Sequence, residues 1–565
     1  MLLLIVLLMT LFVIIVSLNV SFLFEMTITL TTVGILQSAS AAEKIKFIIG
    51  PLRLSLNISS LEEFAANGTV ERRLADYFRL TGSTEAEKKE FREILLKSIA
   101  IDPVLLSRLL RTDMGEDLLS RWGEHITIQG GRNGKYALRA AMIQSAFDAN
   151  GLSLINVLRH LPTNIQINVG QALSLAEKVD LVITATNFFR QEISQLAQEE
   201  IKLNAPVDFA SLPDLRQKGK FKVEKNSWQL TDASRERSFN ADIYQPKEGQ
   251  GEKIPVVIAS HGLGASPEYF ADSGEHLASH GYVVMVPQHP GSDSKQTQAL
   301  KAGRSNQIFL TREFIDRPQD ISFSIDELER RNQKEFAGKL DLNNVAVIGH
   351  SFGGYTALAV AGASLEFEHL EAECQRRLNI SLLLQCCALS LESKSEQLKD
   401  ERVKAIAITN PFQSAIFGPQ GLARIPLPVF VQAGKYDPAT PFVLEQVRPF
   451  PWLNTPDKYL SLQEGDTHVD IRELDAGISE LIASVSYLSL PEPGLLTSYN
   501  HALMLAFLEV HLLGNEDYRP YLQSAYADYL SQGQEFKNFL ITHASAEGLA
   551  EAIARFKAKH PNLNF

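Results

Sequence analysis

At 565 residues the chain is longer than a single hydrophobic core organises, so two domains are expected. Its 45% hydrophobic and 21% charged residues are those of an ordinary globular protein. The net charge of −12 excludes a nucleic-acid partner, whose phosphates demand a basic surface, and excludes polybasic attachment to anionic lipid.

Residues 1–24 are almost wholly apolar, with no charge before Glu25, and a second apolar stretch runs from Met26 to Leu36. Ala39 and Ala41 then form an A-x-A pattern, with charge resuming at Glu43. The expectation is a signal peptide over 1–42, cleaved near Ala41 or Ala42, and an exported protein, periplasmic or extracellular. The length of the leader and its lack of Lys or Arg also fit an uncleaved anchor, since residues 1–24 are long enough to span a bilayer.

From 43 to 202 the pattern reads as a smaller all-helical domain. Ser59-x-x-Glu62 has the form of a capping box. Val70, Leu74, Tyr77 and Phe78 recur at helical spacing, as do Phe91, Ile94, Leu95 and Ile99. Asp102-Pro103 opens a helix through an N-cap and a proline at the first position, and the apolar stripe continues to Trp122. Further helices fit Ala137–Ala149, Ser153–His160 and Asn187–Glu200.

Polar sequence over 203–219 reads as a linker. Beyond it, from 220 to 565, short apolar runs alternate with helical segments, which indicates a mostly parallel sheet with helices on both faces. Strands are expected at Lys220–Leu230, Arg237–Tyr244, Ile254–Ala259, Tyr282–Pro287, Val345–Gly349, Val403–Thr409, Pro428–Ala433 and Lys458–Gln463, with a closing helix over Tyr499–Leu512. Cys374, Cys386 and Cys387 are the chain's three cysteines and have no metal-ligand spacing with histidines. A disulfide from Cys374 to either of the others fits an oxidising compartment, and three buried thiols fit as well.

The stretch Val345-Ala346-Val347-Ile348-Gly349-His350-Ser351-Phe352-Gly353-Gly354 runs an apolar strand into Gly-x-Ser-x-Gly and then a small-residue helix. This is the pattern of a nucleophile elbow, in which a strained turn lifts the serine hydroxyl above the strand end. A serine hydroxyl needs a base, and the base needs an orienting carboxylate, in the order Ser, acid, His at successive strand ends. Asp437 follows the strand ending at Ala433, and His468 follows the next one. Asn410 and Asp466 are rivals for the acid position, and His501 for the base. For an oxyanion hole the candidates are the N–H of Phe352 and that of Leu263, in Ser260-His261-Gly262-Leu263-Gly264-Ala265.

At these residues, and at Leu277-Ala278-Ser279-His280-Gly281-Tyr282 and Arg317-Pro318-Gln319-Asp320-Ile321, the sequence resembles the α/β-hydrolase superfamily. More narrowly it is similar to the platelet-activating-factor acetylhydrolase and dienelactone-hydrolase-like branch. The whole chain is similar to predicted hydrolases, found largely in cyanobacteria, that carry a helical N-terminal domain of unknown function after a signal peptide. The resemblance implies an α/β-hydrolase fold and Ca²⁺-independent hydrolysis of short or oxidised acyl esters of phospholipids. The chain departs from it twice. Asn410 stands where the acetylhydrolases place their acid, which moves that role to Asp437, and Ser351 stands where dienelactone hydrolases have a cysteine.

The reading is an exported serine esterase acting on a small-molecule or lipid ester, with contact to a membrane surface and no need of a metal or organic cofactor. A peptidase or amidase on the same residues, and a non-catalytic lipid- or partner-binding protein, are its alternatives. The apolar segment around Ile478–Leu490 is expected either to line the acyl pocket or to pack as a core helix.

Overall fold

The computed structural model describes residues 42–99, 101–247, 253–376, 379–392, 397–468 and 491–561. The leader over 1–41 and the Ile478–Leu490 segment lie outside the described residues. Contacts divide the chain into two compact units. One contains the described residues up to Leu181 with Gln298–Ile308, and the other contains Val182–Thr297 and the described residues from Phe309 onward. The division falls within the helix Val169–Leu203, earlier than the expected boundary at 202.

The first unit is not all-helical. It contains a five-stranded sheet in the order Leu52–Asn57, Lys44–Ile49, Ile165–Asn168, Ile126–Ile128, Arg132–Asn133. The signal was present and is easily missed. Leu52, Leu54 and Leu56 alternate with Arg53, Ser55 and Asn57, a period of two, but the strands are two to six residues long and only partly buried. Helix starts also differ from expectation. The helix Ile58–Asn67 has no side-chain cap, and the reciprocal capping box lies at Thr84 and Glu87. Asp102 caps the helix Pro103–Leu109 by accepting from Leu105 N at 2.7 Å, as the sequence implies. The stripe to Trp122 breaks at Thr112, whose hydroxyl accepts from Gly115 N at 3.1 Å and starts a second helix, Asp113–His125. Phe64, Phe78 and Phe91 pack together and are buried.

The second unit is built on a nine-stranded sheet. Its strands, in chain order, are β1 (Val223–Asp232), β2 (Arg237–Pro246), β3 (Ile254–Ser260), β4 (Val283–Pro287), β5 (Leu340–His350), β6 (Val403–Thr409), β7 (Val429–Gly434), β8 (Lys458–Gln463) and β9 (Asn538–Thr542). The spatial order is β9-β8-β7-β6-β5-β3-β4-β2-β1. From β4 across to β8 all neighbours are parallel, while β2 on β4, β1 on β2 and β9 on β8 are antiparallel. Strands β4, β7 and β8 are buried at every position, as a parallel sheet covered on both faces requires.

Helices α1 (Ala271–Ser279) and α4 (Leu495–His511) share one core with Val257, Ala259, Val284, Val286, Ala346 and Ile348. The intervening residues Val256, Ile258, Val345 and Val347 point to the other face by the strand's two-residue period, where α2 (Glu313–Glu335) and α3 (Phe352–Val360) pack on each other and on β5. Phe209 and Leu215, in the expected linker, are buried in the first of these cores. Cys374 is disulfide-bonded to Cys386, and Cys387 is free.

Helix α2 starts four residues before Arg317, so Pro318 lies inside it. Proline has no N–H, and the carbonyl of Phe314 therefore loses its i+4 donor. The buried hydroxyl of Tyr355, on α3, donates to that carbonyl at 2.8 Å. Removing this donor by Tyr355→Phe leaves a buried carbonyl unpaired and should destabilise the protein by about 1–3 kcal/mol. Adding Pro318→Ala restores a backbone N–H for Phe314 and should recover much of that loss. Denaturant unfolding of the two single variants and the double variant measures the coupling.

Candidate active site

The site forms where the strand order reverses, at the carboxyl ends of β3 and β5. Ser351 follows β5 with φ 56° and ψ −113°, a left-handed conformation that a non-glycine residue adopts only under constraint. Two glycines impose it. A Cβ on Gly349 would lie 2.1 Å from the carbonyl oxygen of Gly353, and one on Gly353 only 1.7 Å from that of Ser260. The turn is held by Ser351 N–H donating to Thr409 O at 3.0 Å and by Gly354 N–H donating to Ser351 O at 2.9 Å.

His468, after β8, also has a positive φ, 74°. Its Nε2 lies 3.0 Å from Ser351 Oγ, and its Nδ1 lies 2.6 Å from Asp437 Oδ2. Asp437 follows β7 and is itself held. Its Oδ1 accepts from the N–H groups of Ala439 and Thr440, each at 2.8 Å, and its Oδ2 accepts from Thr440 Oγ1 at 2.8 Å. Burial opposes a charge on the His468 ring, but the Asp437 carboxylate and its hydrogen bond, with Asp466 behind, outweigh it and raise the imidazole above its ordinary value. The structure thus brings Ser351, His468 and Asp437 into one hydrogen-bonded array.

The rivals make other hydrogen bonds. Asn410, fully buried after β6, accepts from Gly434 N at 2.7 Å and donates to Asp466 Oδ2 at 3.1 Å, so it ties two strand ends together. Burial, and then the charge of Asp437, push the Asp466 carboxyl upward. His501 lies in α4, its Nε2 3.1 Å from Asp272 and its ring stacked on His276 at 4.0 Å.

The loop after β3 passes close to Ser351: a Cβ on Gly262 would lie 3.5 Å from Ser351 Cβ. Leu263 follows it, and Phe352 opens α3, where first-turn amides have no intrahelical acceptor. Sequence reasoning passed over Thr440, Tyr269 and His350. The His350 ring stacks on Tyr269 at 4.8 Å and lies 4.8 Å from that of His468. Burial, with His468 adjacent, holds His350 well below the usual histidine range, so it stays neutral beside the array. Its place directly before the serine was the available signal.

Comparison with known proteins gives two separate family matches. Residues 41–168 match the family described as "Alpha/beta hydrolase of unknown function (DUF1400)". Residues 212–385 match the family described as "Chlorophyllase", a span containing Leu263, Ser351 and Phe352 and ending before Asp437 and His468. Platelet-activating factor acetylhydrolase from Cavia porcellus is 31% identical over 147 residues, covering 21% of this chain and 34% of that protein. The Canis lupus familiaris protein of the same name is 27% identical over 151 residues, again 21% and 34%. The 1-acylglycerol-3-phosphate O-acyltransferase of Arabidopsis thaliana is 27% identical over 204 residues, covering 35% of this chain and 41% of that protein. The chain therefore spans about a third of the length of the acetylhydrolases it matches. Among the described residues no helix is long and apolar enough to cross a membrane. Through two non-overlapping stretches, 41–168 and 212–385, the chain is matched to α/β-hydrolase families.

Proposed function

We propose that the chain is an exported serine hydrolase that cleaves a carboxylic ester, with a lipid ester as its substrate class. The observation that carries this reading is His468 held between Ser351 Oγ at 3.0 Å and Asp437 Oδ2 at 2.6 Å, beneath a serine at positive φ. Ser351 Oγ attacks the acyl carbonyl carbon while His468 Nε2 takes its proton. The Leu263 and Phe352 amides hold the resulting oxyanion. His468 returns the proton to the departing alkoxide, leaving an acyl group on Ser351. A water activated by the same imidazole then releases the acid. Asp437 keeps the Nδ1–H tautomer and stabilises the imidazolium. The acetylhydrolase relatives support the lipid-ester class. The Cys374–Cys386 disulfide supports an oxidising compartment and hence export.

The acyltransferase relative favours a second reading, in which an alcohol replaces water in the deacylation step. Product partition with a p-nitrophenyl ester and added glycerol separates the two. Turnover of anilides in preference to esters would return the amidase alternative.

Ser351→Ala should abolish labelling by a fluorophosphonate probe and lower ester turnover by about 10⁶-fold, with the fold retained by circular dichroism. Near-normal turnover in the folded variant would sink the reading, whereas neither labelling nor turnover in the unaltered chain would point to a binding protein.

The raised His468 pKa has a kinetic consequence with a definite sign. The base must be neutral, so kcat/KM should fall with decreasing pH through a pKa raised from the ordinary histidine value. Asp437→Asn removes the charge that raises it. That variant should lower kcat by about 10⁴-fold and move the remaining acid limb to lower pH. An unmoved limb would show that Asp437 does not face the base.

A further inference from the structure

The Arg317-Pro318-Gln319-Asp320 stretch takes no direct part in the chemistry above, yet Arg317 and Asp320 are both fully buried. Resting on the esterase reading, we propose that Arg317 and His261 form a clamp on the Gly262–Leu263 peptide that aims Leu263 N–H at the oxyanion, making both of them positioning residues.

The argument begins with the peptide itself. Gly262 C=O and Leu263 N–H belong to one planar trans unit and point in opposite directions. Fixing the carbonyl therefore fixes the amide. His261 Nδ1 lies 2.8 Å from Gly262 O, and Arg317 Nη2 donates to the same oxygen at 3.4 Å. The tautomer of His261 is set by its neighbour: His289 N–H donates to His261 Nε2 at 3.3 Å, which leaves the ring proton on Nδ1, where it faces Gly262 O.

The guanidinium holds the loop at further points. Arg317 Nη1 donates to His261 O at 2.6 Å, and Nη2 donates to Ser292 O at 3.4 Å. Nε donates to Ser292 Oγ at 2.8 Å. Gly264 N–H donates to the same Ser292 carbonyl at 2.8 Å. The guanidinium carbon Cζ of Arg317 also lies 4.3 Å from the ring centroid of Phe352, the other amide-bearing residue. One buried cation thus touches both halves of the oxyanion site. Donors on Gly262 O also polarise the peptide and strengthen Leu263 N–H as a donor.

The clamp is braced from behind. His289 Nδ1 lies 3.0 Å from Asp320 Oδ2, and Arg237 donates to both oxygens of Asp320 at 2.8 Å. Burial lowers Arg317 to about 10, with Glu313, Asp320 and Asp293 opposing the loss, so it remains a cation at neutral pH. Burial, with Arg317 and His289 adding to it, holds His261 far below its usual value, which keeps it a neutral donor across the working range.

The test uses the full chain, p-nitrophenyl acetate as substrate and a trifluoromethyl ketone as the probe whose hemiketal oxygen mimics the oxyanion. His261→Asn places an amide donor near the lost Nδ1, whereas His261→Gln places it near Nε2. Arg317→Lys keeps the charge and loses the fork, and it carries the test if His261→Gln does not fold. His261→Gln and Arg317→Lys should each lower kcat by about 10–100-fold with KM nearly unchanged. The inhibition constant of the ketone should rise in parallel with the loss in kcat/KM. His261→Asn should recover most of the rate. Equal losses in the Asn and Gln variants, a loss carried by KM alone, or undiminished ketone affinity would overturn the clamp. Failure of the esterase reading itself would appear separately, as turnover surviving Ser351→Ala.

Discussion

The closest approach in the site is that of Gly353 to the carbonyl of Ser260, where a single added carbon would sit at 1.7 Å. That contact joins the turn after β5 to the end of β3, and so brings the loop carrying Leu263 beside Ser351. Without it, no amide from that loop could share a small volume with the serine. Closing the turn forces Ser351 to positive φ, a cost of about 1–3 kcal/mol for such a residue. Among the described residues five non-glycine positions have positive φ, and three of them, Ser351, Asn410 and His468, follow strands β5, β6 and β8 at the same end of the sheet. The strain is therefore concentrated where the strand ends must present side chains to one another. The surrounding sheet, buried on both faces, is what holds it.

The parallel sheet was legible because its strands are short runs rich in aliphatic and aromatic residues, a pattern that burial on both faces explains. The order of serine, acid and histidine was legible because each follows such a run. The first unit's sheet was not, because its strands are short and half-exposed, and the helices between them carry the stronger periodicity. The network of Arg237, Glu313, Arg317 and Asp320 escaped notice for a related reason. Charged residues in a helical pattern are ordinarily a solvated face, and nothing local distinguishes these from surface ones. Only the three-dimensional arrangement shows that Arg237 bonds both Glu313 and Asp320 where neither carboxylate meets solvent. Such a buried cluster costs desolvation that its ion pairs only partly offset, so it contributes more to fixing geometry than to stability.

A second array makes the same point about what a site requires. Ser260 Oγ lies 3.0 Å from His289 Nε2, and His289 Nδ1 lies 3.0 Å from Asp320 Oδ2. The pattern of serine, histidine and aspartate is that of Ser351, His468 and Asp437, and the serine-to-histidine distance is the same, 3.0 Å. The surroundings are opposite. Ser260, His289 and Asp320 are all fully buried, whereas Ser351 retains 8% exposure. Burial, together with Arg317, Arg237 and Arg235, drives His289 far below its usual value, so it cannot take and hold a proton near neutral pH. Among the described residues no arginine bonds the aspartate that His468 faces, and His468 is raised instead. A hydrogen-bonded triplet is therefore not enough to make a nucleophile. The local field must favour the imidazolium, and the serine must be reachable. In this fold one such triplet is spent bracing the loop that the other would use.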